Sequence, residues 1–267
     1  PKVRSDCEMT LELREGGGIV IDLKSKVEVL YGTSIKTLCI EILNYFGISD
    51  AFLRIDDSGA LPFVIAARLE SAIRKITEKE LEYLPELLEE NKYSTSSDRF
   101  RFSRLYLPGN TPSMMINAGL HSADGIILDL EDSVNPEKKD ESRILVRNAL
   151  RQINFKGAER MVRINQGERG MKDLEFVVPH YVNLILIPKC EDPSATRKIE
   201  NRISEIKTKA GVTNPVYLMP IIETALGVEM SFEIARSAAS VVAIAVGLED
   251  LTADMGVPRT SEGKETL

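Results

Sequence analysis

The sequence predicts an α/β protein: a TIM (β/α)8 barrel short of its last two βα units, preceded by a small α+β domain. Beyond residue 98, short apolar runs recur roughly every 20 to 35 residues, each followed by a segment with helical caps and stripes. Those runs are continuous rather than alternating, the mark of strands buried on both faces of a parallel sheet. Residues 1–76 instead alternate at period two and then carry amphipathic helices, the texture of a separate half-buried sheet. A chain of 267 residues holds one large domain or a small one plus a larger one, and either can bury a core. With 43% hydrophobic and 28% charged residues, a disordered or low-complexity chain is excluded.

Residues 1–76 read as β-β-α-β-α. In EMTLEL, Met9, Leu11 and Leu13 fall on one side, and Ile19, Ile21 and Leu23 repeat the alternation in IVIDLK. Gly16, Gly17 and Gly18 between them supply the positive φ of a hairpin turn. Ile35, Leu38, Cys39, Ile42 and Phe46 then recur at helical spacing, with Thr33 or Ser34 as N-cap and Gly47 closing the helix. A third strand, AFLRID, ends at the turn Asp57-Ser58-Gly59, and a second helix carries Ile65, Leu69, Ala72 and Ile76 on one stripe. Residues 77–98 are charged and polar, Pro85 breaks any long helix, and the tract from Ser94 to Ser97 is solvated in character. This segment reads as a linker, or equally as an irregular arm packed on either module.

Residues 99–267 form the second module, with apolar runs LYL at 105, GIILDL at 125, RMVRI at 160, NLILIPK at 183, VYLMPII at 216 and VVAIAVGLED at 241. Asp192 and Pro193 open one connecting helix as N-cap and first helical residue, ahead of Ile199, Ile203 and Ile206. Val228, Phe232, Ala235 and Ala239 mark the stripe of another. Six units leave a barrel open, with two edges of unpaired N–H and C=O groups, so a C-terminal continuation is expected. A doubly wound open sheet is the alternative and needs no further strands.

The net charge of -7 and the absence of a basic run interleaved with aromatics argue against nucleic acid as a partner. No apolar stretch reaches the roughly 18 to 20 residues that span a bilayer, and no signal-peptide core opens the chain, so a soluble, cytoplasmic protein is expected. Cys7, Cys39 and Cys190 form no CxxC pair, which fits a reducing compartment and argues against a disulfide framework or structural zinc. His121 and His180 lie far apart, make no HExxH, and are expected on a loop or helix surface. There is no nucleophile elbow, Walker loop or dinucleotide fingerprint.

In a barrel, chemistry gathers where the strands end. The second run closes with Asp129, Glu131 and Asp132, the third with Arg163 and Asn165, and the fourth with Lys189. Glu223 closes the fifth and Glu249 and Asp250 the sixth. Magnesium takes oxygen ligands, usually one or two protein carboxylates plus water and substrate oxygens, and Glu223 with Asp250 meets that demand. Arg163 offers a rigid fork for a substrate carboxylate. Each has a plainer reading: Glu223 and Asp250 open predicted helices and can cap them, and Arg163 can pair with a neighbouring acid. Lys189 is a Schiff-base candidate or simply an ion-paired lysine.

The motifs SRLYLPGN at 103, GIILDLEDSVNPEKKDESR at 125, MVRIN at 161, LILIPK at 184, PIIETALG at 220 and VGLEDLTADMG at 246 resemble, in order, the strand-end motifs of the citrate lyase beta chain. That family belongs to a wider aldolase superfamily with malyl-CoA and citramalyl-CoA lyases. Residues 8–76, above all VLYGTSIKTLCIEIL and IDDSGALPFVIAARLESAI, independently resemble the citrate lyase gamma chain, an acyl carrier protein. The resemblance implies magnesium at Glu223 and Asp250, substrate contacts from Arg163 and Glu223, and catalytic positions at Glu131 and Asp132, which would hold metal-bound water or substrate. The carrier family attaches its prosthetic arm to a serine two residues before an aspartate; Arg4 stands there, and Ser5, directly before Asp6, is the candidate attachment residue. Phe102 replaces the arginine that usually precedes the first-strand serine, with Arg101 and Arg104 alongside as substitutes.

The activity so implied is magnesium-dependent carbon–carbon cleavage of a citryl-type thioester to oxaloacetate and an acetyl thioester. Cleavage of malyl-CoA or citramalyl-CoA, and a non-catalytic scaffold of an acyl-transferring complex, are the alternatives. Implied with it are an acyl-carrier prosthetic group or a CoA thioester substrate, a citrate lyase alpha-type acyltransferase partner, and a homo-oligomer.

Overall fold

The computed structural model describes residues 4–266. The chain opens with β1 (Cys7–Leu13), β2 (Ile19–Ser25), α1 (Glu28–Tyr45), β3 (Ala51–Asp57) and α2 (Pro62–Ile76). The three strands form a sheet in the order β1-β3-β2, with β1 antiparallel and β2 parallel to β3. The expected β1–β2 hairpin therefore does not form. Ala51, Leu53 and Ile55 are completely buried, so β3 takes the central place, and the α1 crossover returns the chain parallel to β2. The glycine loop straddles the start of β3 instead: Gly18 N–H donates to Asp50 Oδ1 at 2.8 Å while Ala51 N–H donates to the Gly18 carbonyl at 3.2 Å.

Helix α1 starts well before Thr33 and Ser34, which lie inside it; Val27 precedes it without a side-chain cap. Its buried face carries Ile35, Cys39 and Ile42 as expected, and Gly47 closes it at φ 66°. Helix α2 carries more than the single expected stripe. Ile65, Leu69 and Ile73 pack on the three-stranded sheet, while Phe63, Val64 and Ala67 belong to the core of the second module. Ile76, placed on the stripe by its spacing, is 44% exposed because the helix ends there.

Residues 77–98 hold one short 3-10 turn, Glu89–Asn91, and pack closely on the second module. Asn91 is fully buried, and its Nδ2 donates to the carbonyls of Leu150, Arg151 and Ile153 at 3.1, 3.2 and 2.9 Å. The tract from Ser94 to Ser97 is anchored rather than freely solvated, since Thr95 Oγ1 donates to buried Glu159 at 2.6 Å.

The second module runs β4 (Arg104–Pro108), α3 (Pro112–Met115), β5 (Gly125–Asp129), α4 (Lys139–Gln152), β6 (Glu159–Arg163) and α5 (Gly167–Val177). It continues with β7 (Leu184–Ile187), α6 (Pro193–Ala210), β8 (Tyr217–Ile222), α7 (Ala225–Ala235), β9 (Ala245–Val246) and α8 (Leu248–Asp254). All six strands are parallel and neighbour one another in chain order, a curled half-barrel sheet. A doubly wound sheet reverses its strand order at a switch point; this one does not, so that alternative fails. Side chains alternate across the sheet: Ile126, Leu128, Val162, Ile185 and Leu218 join the helix-side core, and Ile127, Met161, Leu184, Leu186 and Met219 cluster on the other face.

Asp192 caps α6 by accepting from Ser194 N–H at 2.7 Å, and Ile199, Ile203 and Ile206 are buried as read. The stripe assigned to α7 faces outward: Val228 is 48% and Phe232 70% exposed. This helix docks through Ile234 and Gly227, where a Cβ would stand 2.8 Å from the Cys190 carbonyl oxygen. His121 is exposed, but His180 is 4% exposed, beneath Arg151, and so is not a surface residue. Among the described residues, no helix is long and apolar enough to cross a membrane.

Candidate active site

Register places Asp129, the last residue of β5, beside Arg163, the last of β6. Arg163 grips it with both arms, Nε to Oδ1 at 2.7 Å and Nη2 to Oδ2 at 2.8 Å. Its remaining nitrogen, Nη1, lies 3.2 Å from Glu131 Oε2 and 3.7 Å from Asp132 Oδ2, and Tyr106 presents its ring 5.5 Å from the guanidinium carbon. The Asp129 carboxylate also accepts from the N–H groups of Glu131 and Ser133 at 2.9 and 3.1 Å, so the acidic turn is wound around it. Gly109, just after β4, touches the Asp129 carbonyl where a Cβ would come within 2.5 Å. The fork that the sequence offers to a substrate carboxylate is therefore largely filled from within the chain.

Across the rim, Lys189 follows β7 in a left-handed conformation, φ 46°. Its N–H donates to Glu223 Oε2 at 3.1 Å, and its Nζ lies 3.4 Å from Asp250 Oδ2. Gly247 presses on Glu223, leaving 2.5 Å between an added Cβ and Glu223 Cγ. Glu223 does not cap α7: Thr224 does, accepting from Gly227 N–H at 3.1 Å, and Asp254 Oδ2 takes the Ala225 N–H at 2.8 Å. Asp250 stands in the first turn of α8, where an acid also favours the helix dipole.

The electrostatics differ across this rim. Burial pushes the Glu223 pKa above the ordinary carboxylate value, and Asp250 adds to it against the Lys189 N–H and Arg163. Burial raises Glu131 as well, and Asp132 reinforces it. Burial works the same way on Asp129, but hydrogen bonds from Arg163 and Ser133 outweigh it and hold its pKa down. For Lys189, burial favours the neutral amine, yet Asp250 and Asp132 prevail and raise its pKa. With its Nζ paired to Asp250 at 3.4 Å, Lys189 is placed as an ion-paired lysine, the plainer of its two readings.

Glu223 and Asp250 supply the oxygen donors that magnesium favours, and one or two carboxylates suffice for that ion. Burial, with a smaller contribution from Asp250, raises Glu223, and a divalent cation would offset both by favouring the charged carboxylate. No group of three or more His, Cys, Asp and Glu side chains suited to a metal occurs among the described residues, so a closed all-protein cage is not formed.

Other positions lie elsewhere. Arg101 is bound to Glu159 at the start of β6, with Nε to Oε2 at 2.6 Å, and Arg104 begins β4, so both substitutes sit at the opposite strand ends from the acids. Phe102 is 83% exposed beside Phe100. Ser5 adopts a left-handed φ of 54° and donates its N–H to the Ser58 carbonyl at 3.0 Å. Asp6 after it is held by Arg68 at 2.9 Å, and Arg68 also donates to the Asn110 carbonyl at 3.1 Å, just beyond β4. Sequence reasoning missed Gln166, which donates to Glu131 Oε1 at 2.9 Å, and Lys139, whose Nζ donates to the Glu131 carbonyl at 3.0 Å. Gln166 directly follows the strand-end motif MVRIN and was findable there; nothing in the pattern marks Lys139.

Fold and rim together define an α/β protein whose ionisable side chains converge at the carboxyl ends of parallel strands. A model of the HpcH/HpaI aldolase/citrate lyase family matches residues 103–267, and one described as the malonate decarboxylase delta subunit (MdcD) matches residues 3–76. The chain belongs to the HpcH/HpaI aldolase/citrate lyase family. It is 34% identical over 175 residues to the citrate lyase subunit beta of Leuconostoc mesenteroides subsp. cremoris, covering 64% of this chain and 58% of that one. It is 30% identical over 165 residues to an L-malyl-CoA/beta-methylmalyl-CoA lyase of Cereibacter sphaeroides, covering 60% of this chain and 52% of that one. The chain thus spans a little over half the length of these curated relatives. A solved structure of the citrate lyase beta subunit from M. tuberculosis, complexed with oxaloacetate and magnesium, aligns with TM-score 0.49 and 26% identity over 61% of this chain and 67% of that one.

Proposed function

We propose that this chain is a magnesium-dependent carbon–carbon lyase that cleaves a citryl-type thioester into oxaloacetate and an acetyl thioester. The observation that carries the reading is that Lys189 meets both acids, its N–H reaching Glu223 Oε2, just after β8, at 3.1 Å and its Nζ lying 3.4 Å from Asp250 Oδ2 in the first turn of α8. Consecutive strand order supports barrel winding, in which such strand ends are the working face. Residues 1–76 are taken as an acyl-carrier-like domain, 77–98 as the connection and 99–267 as the lyase domain.

Glu223 and Asp250 would hold magnesium, which when bound supplies Lewis-acid stabilisation of oxygen charge. Arg163, kept rigid by Asp129, orients the dicarboxylate end of the substrate through Nη1, and Glu131 and Asp132 hold substrate or water beside it. In the reaction the tertiary hydroxyl gives up its proton and the adjacent C–C bond breaks. Its electron pair passes to the thioester as an enolate, the hydroxyl-bearing carbon becomes the ketone of oxaloacetate, and a proton added to the enolate carbon completes the acetyl group. The MdcD match over residues 3–76 fits an acyl-carrier-like domain and so a carrier-bound substrate, with a free CoA ester as the alternative. Ser5 is taken as the attachment residue, an acyltransferase of the citrate lyase alpha type as a partner, and a homo-oligomer as the state of the chain itself.

Replacing Glu223 with Ala tests this. Magnesium titrated calorimetrically into the full chain should lose its binding heat, and keto-acid release from citryl and malyl thioesters should fall by about a hundredfold or more. Undiminished binding and cleavage in the variant would end the proposal. Intact mass should show a covalent arm that disappears in Ser5→Ala.

A further inference from the structure

Among the described residues of the rim, Lys189 engages both carboxylates, and it does so with different parts of itself. Its peptide N–H reaches Glu223 Oε2 at 3.1 Å; its ammonium lies 3.4 Å from Asp250 Oδ2. The backbone accomplishes this at φ 46°, a region in which a lysine is strained, and strain of this kind persists only where surrounding structure imposes it. The surroundings that impose it are visible in the adjacent backbone and around the acid Lys189 holds. Cys190 N–H, next in the chain, donates to the Ile221 carbonyl at 3.0 Å, and Gly247 packs against Glu223 so closely that an added Cβ would stand 2.5 Å from its Cγ. Lys189 and Asp250 are 37% and 40% exposed, so the ammonium can leave Asp250 for water at modest cost.

We propose that Lys189 is a positioning residue for the cation site, its N–H fixing the Glu223 carboxylate while its ammonium stands in for the divalent cation at Asp250 until one displaces it. The proposal rests on the reading of Glu223 and Asp250 as cation ligands and adds a competitor built into the chain. The ammonium keeps two like charges together when no ion is bound, and weakens the ion's affinity in exchange.

The test is calorimetric titration of magnesium chloride into the full chain, wild type against Lys189→Met, Lys189→Gln and Lys189→Arg, with Glu223→Ala as control. Both neutral variants keep the backbone N–H and lose the competitor, so each should bind magnesium about two- to fivefold more tightly, the range of a half-exposed ion pair. Lys189→Arg, which retains a cation, should return to the wild-type affinity. Wild-type binding that is abolished in Glu223→Ala but unchanged or weaker in both neutral variants would overturn this inference alone. An absence of binding heat in the wild type would overturn the ligand assignment and this inference with it.

Discussion

Glu70 and Arg147 are both completely excluded from solvent and join α2 to α4 across the two modules, Nη1 to Oε1 at 3.0 Å and Nη2 to Oε2 at 2.7 Å. Glu70 also accepts from Arg74 Nε at 3.0 Å and from Tyr83 N–H at 3.1 Å. Glu70→Ala would leave a buried guanidinium whose partners are Asn148 Oδ1, the Tyr83 carbonyl and, at 3.3 Å, the half-exposed Glu82. Breaking a buried pair from one side costs about 3–5 kcal/mol, against a typical domain stability of about 5–15 kcal/mol. Removing both charges together, as Glu70→Leu with Arg147→Met, avoids the stranded charge and should come within about 2 kcal/mol of wild type. Urea denaturation of the wild type, the singles Glu70→Leu and Arg147→Met and their double closes a thermodynamic cycle, with an expected coupling of several kcal/mol, and Glu70→Ala is measured beside it. Because the pair spans two cores, the Glu70 variant should also split one cooperative transition into two. Additive single losses, or a Glu70→Ala cost below about 1 kcal/mol, would refute this account of the module junction.

Cys7, Cys39 and Cys190 are buried, and burial pushes Cys39 to about 12 and the other two upward, so thiolate is scarce in the folded chain. A disulfide reagent at pH 8 should label the native protein about a hundredfold more slowly than the denatured one; rapid native labelling would contradict the buried packing. Burial, with Arg151 and Arg147 nearby, pushes His180 down to about 3, from an unfolded value of 6.5. Between those values the unfolded chain binds a proton that the folded one refuses, so this contribution is full above about pH 6.5 and is lost as pH falls toward 3. Urea stability should therefore decline by up to about 1.4 kcal/mol more per pH unit between pH 6 and 4 than in His180→Gln, and equal slopes would count against it.

Periodicity made the element order of the first module legible, as well as every strand of the second, because burial on one or two faces writes itself directly into residue spacing. Strand neighbours in the first module were not legible. A glycine-rich connection permits a hairpin, but pairing is decided by which strand buries most, and β3 prevailed. The outward turn of Val228 and Phe232 has the same origin: a helical stripe specifies a face, while close approach at Gly227 selects which face docks. At the rim, Asp129, Glu131, Arg163, Lys189, Glu223 and Asp250 were all legible as strand-end polar residues. Their partners were not. Asp129 occupies the Arg163 fork because the β5–β6 register sets them side by side, a fact of pairing rather than of spacing.

By itself the sequence determined a parallel α/β module following a smaller sheet, and which charged side chains close each strand, since both follow from local spacing and chain direction. Only tertiary structure decided that α2 serves two cores at once, that residues 77–98 are bound down, and that Lys189 bridges two acids. These depend on contacts between segments distant in the chain, where shape and the need to pair every buried polar group choose among arrangements that the local pattern leaves equal.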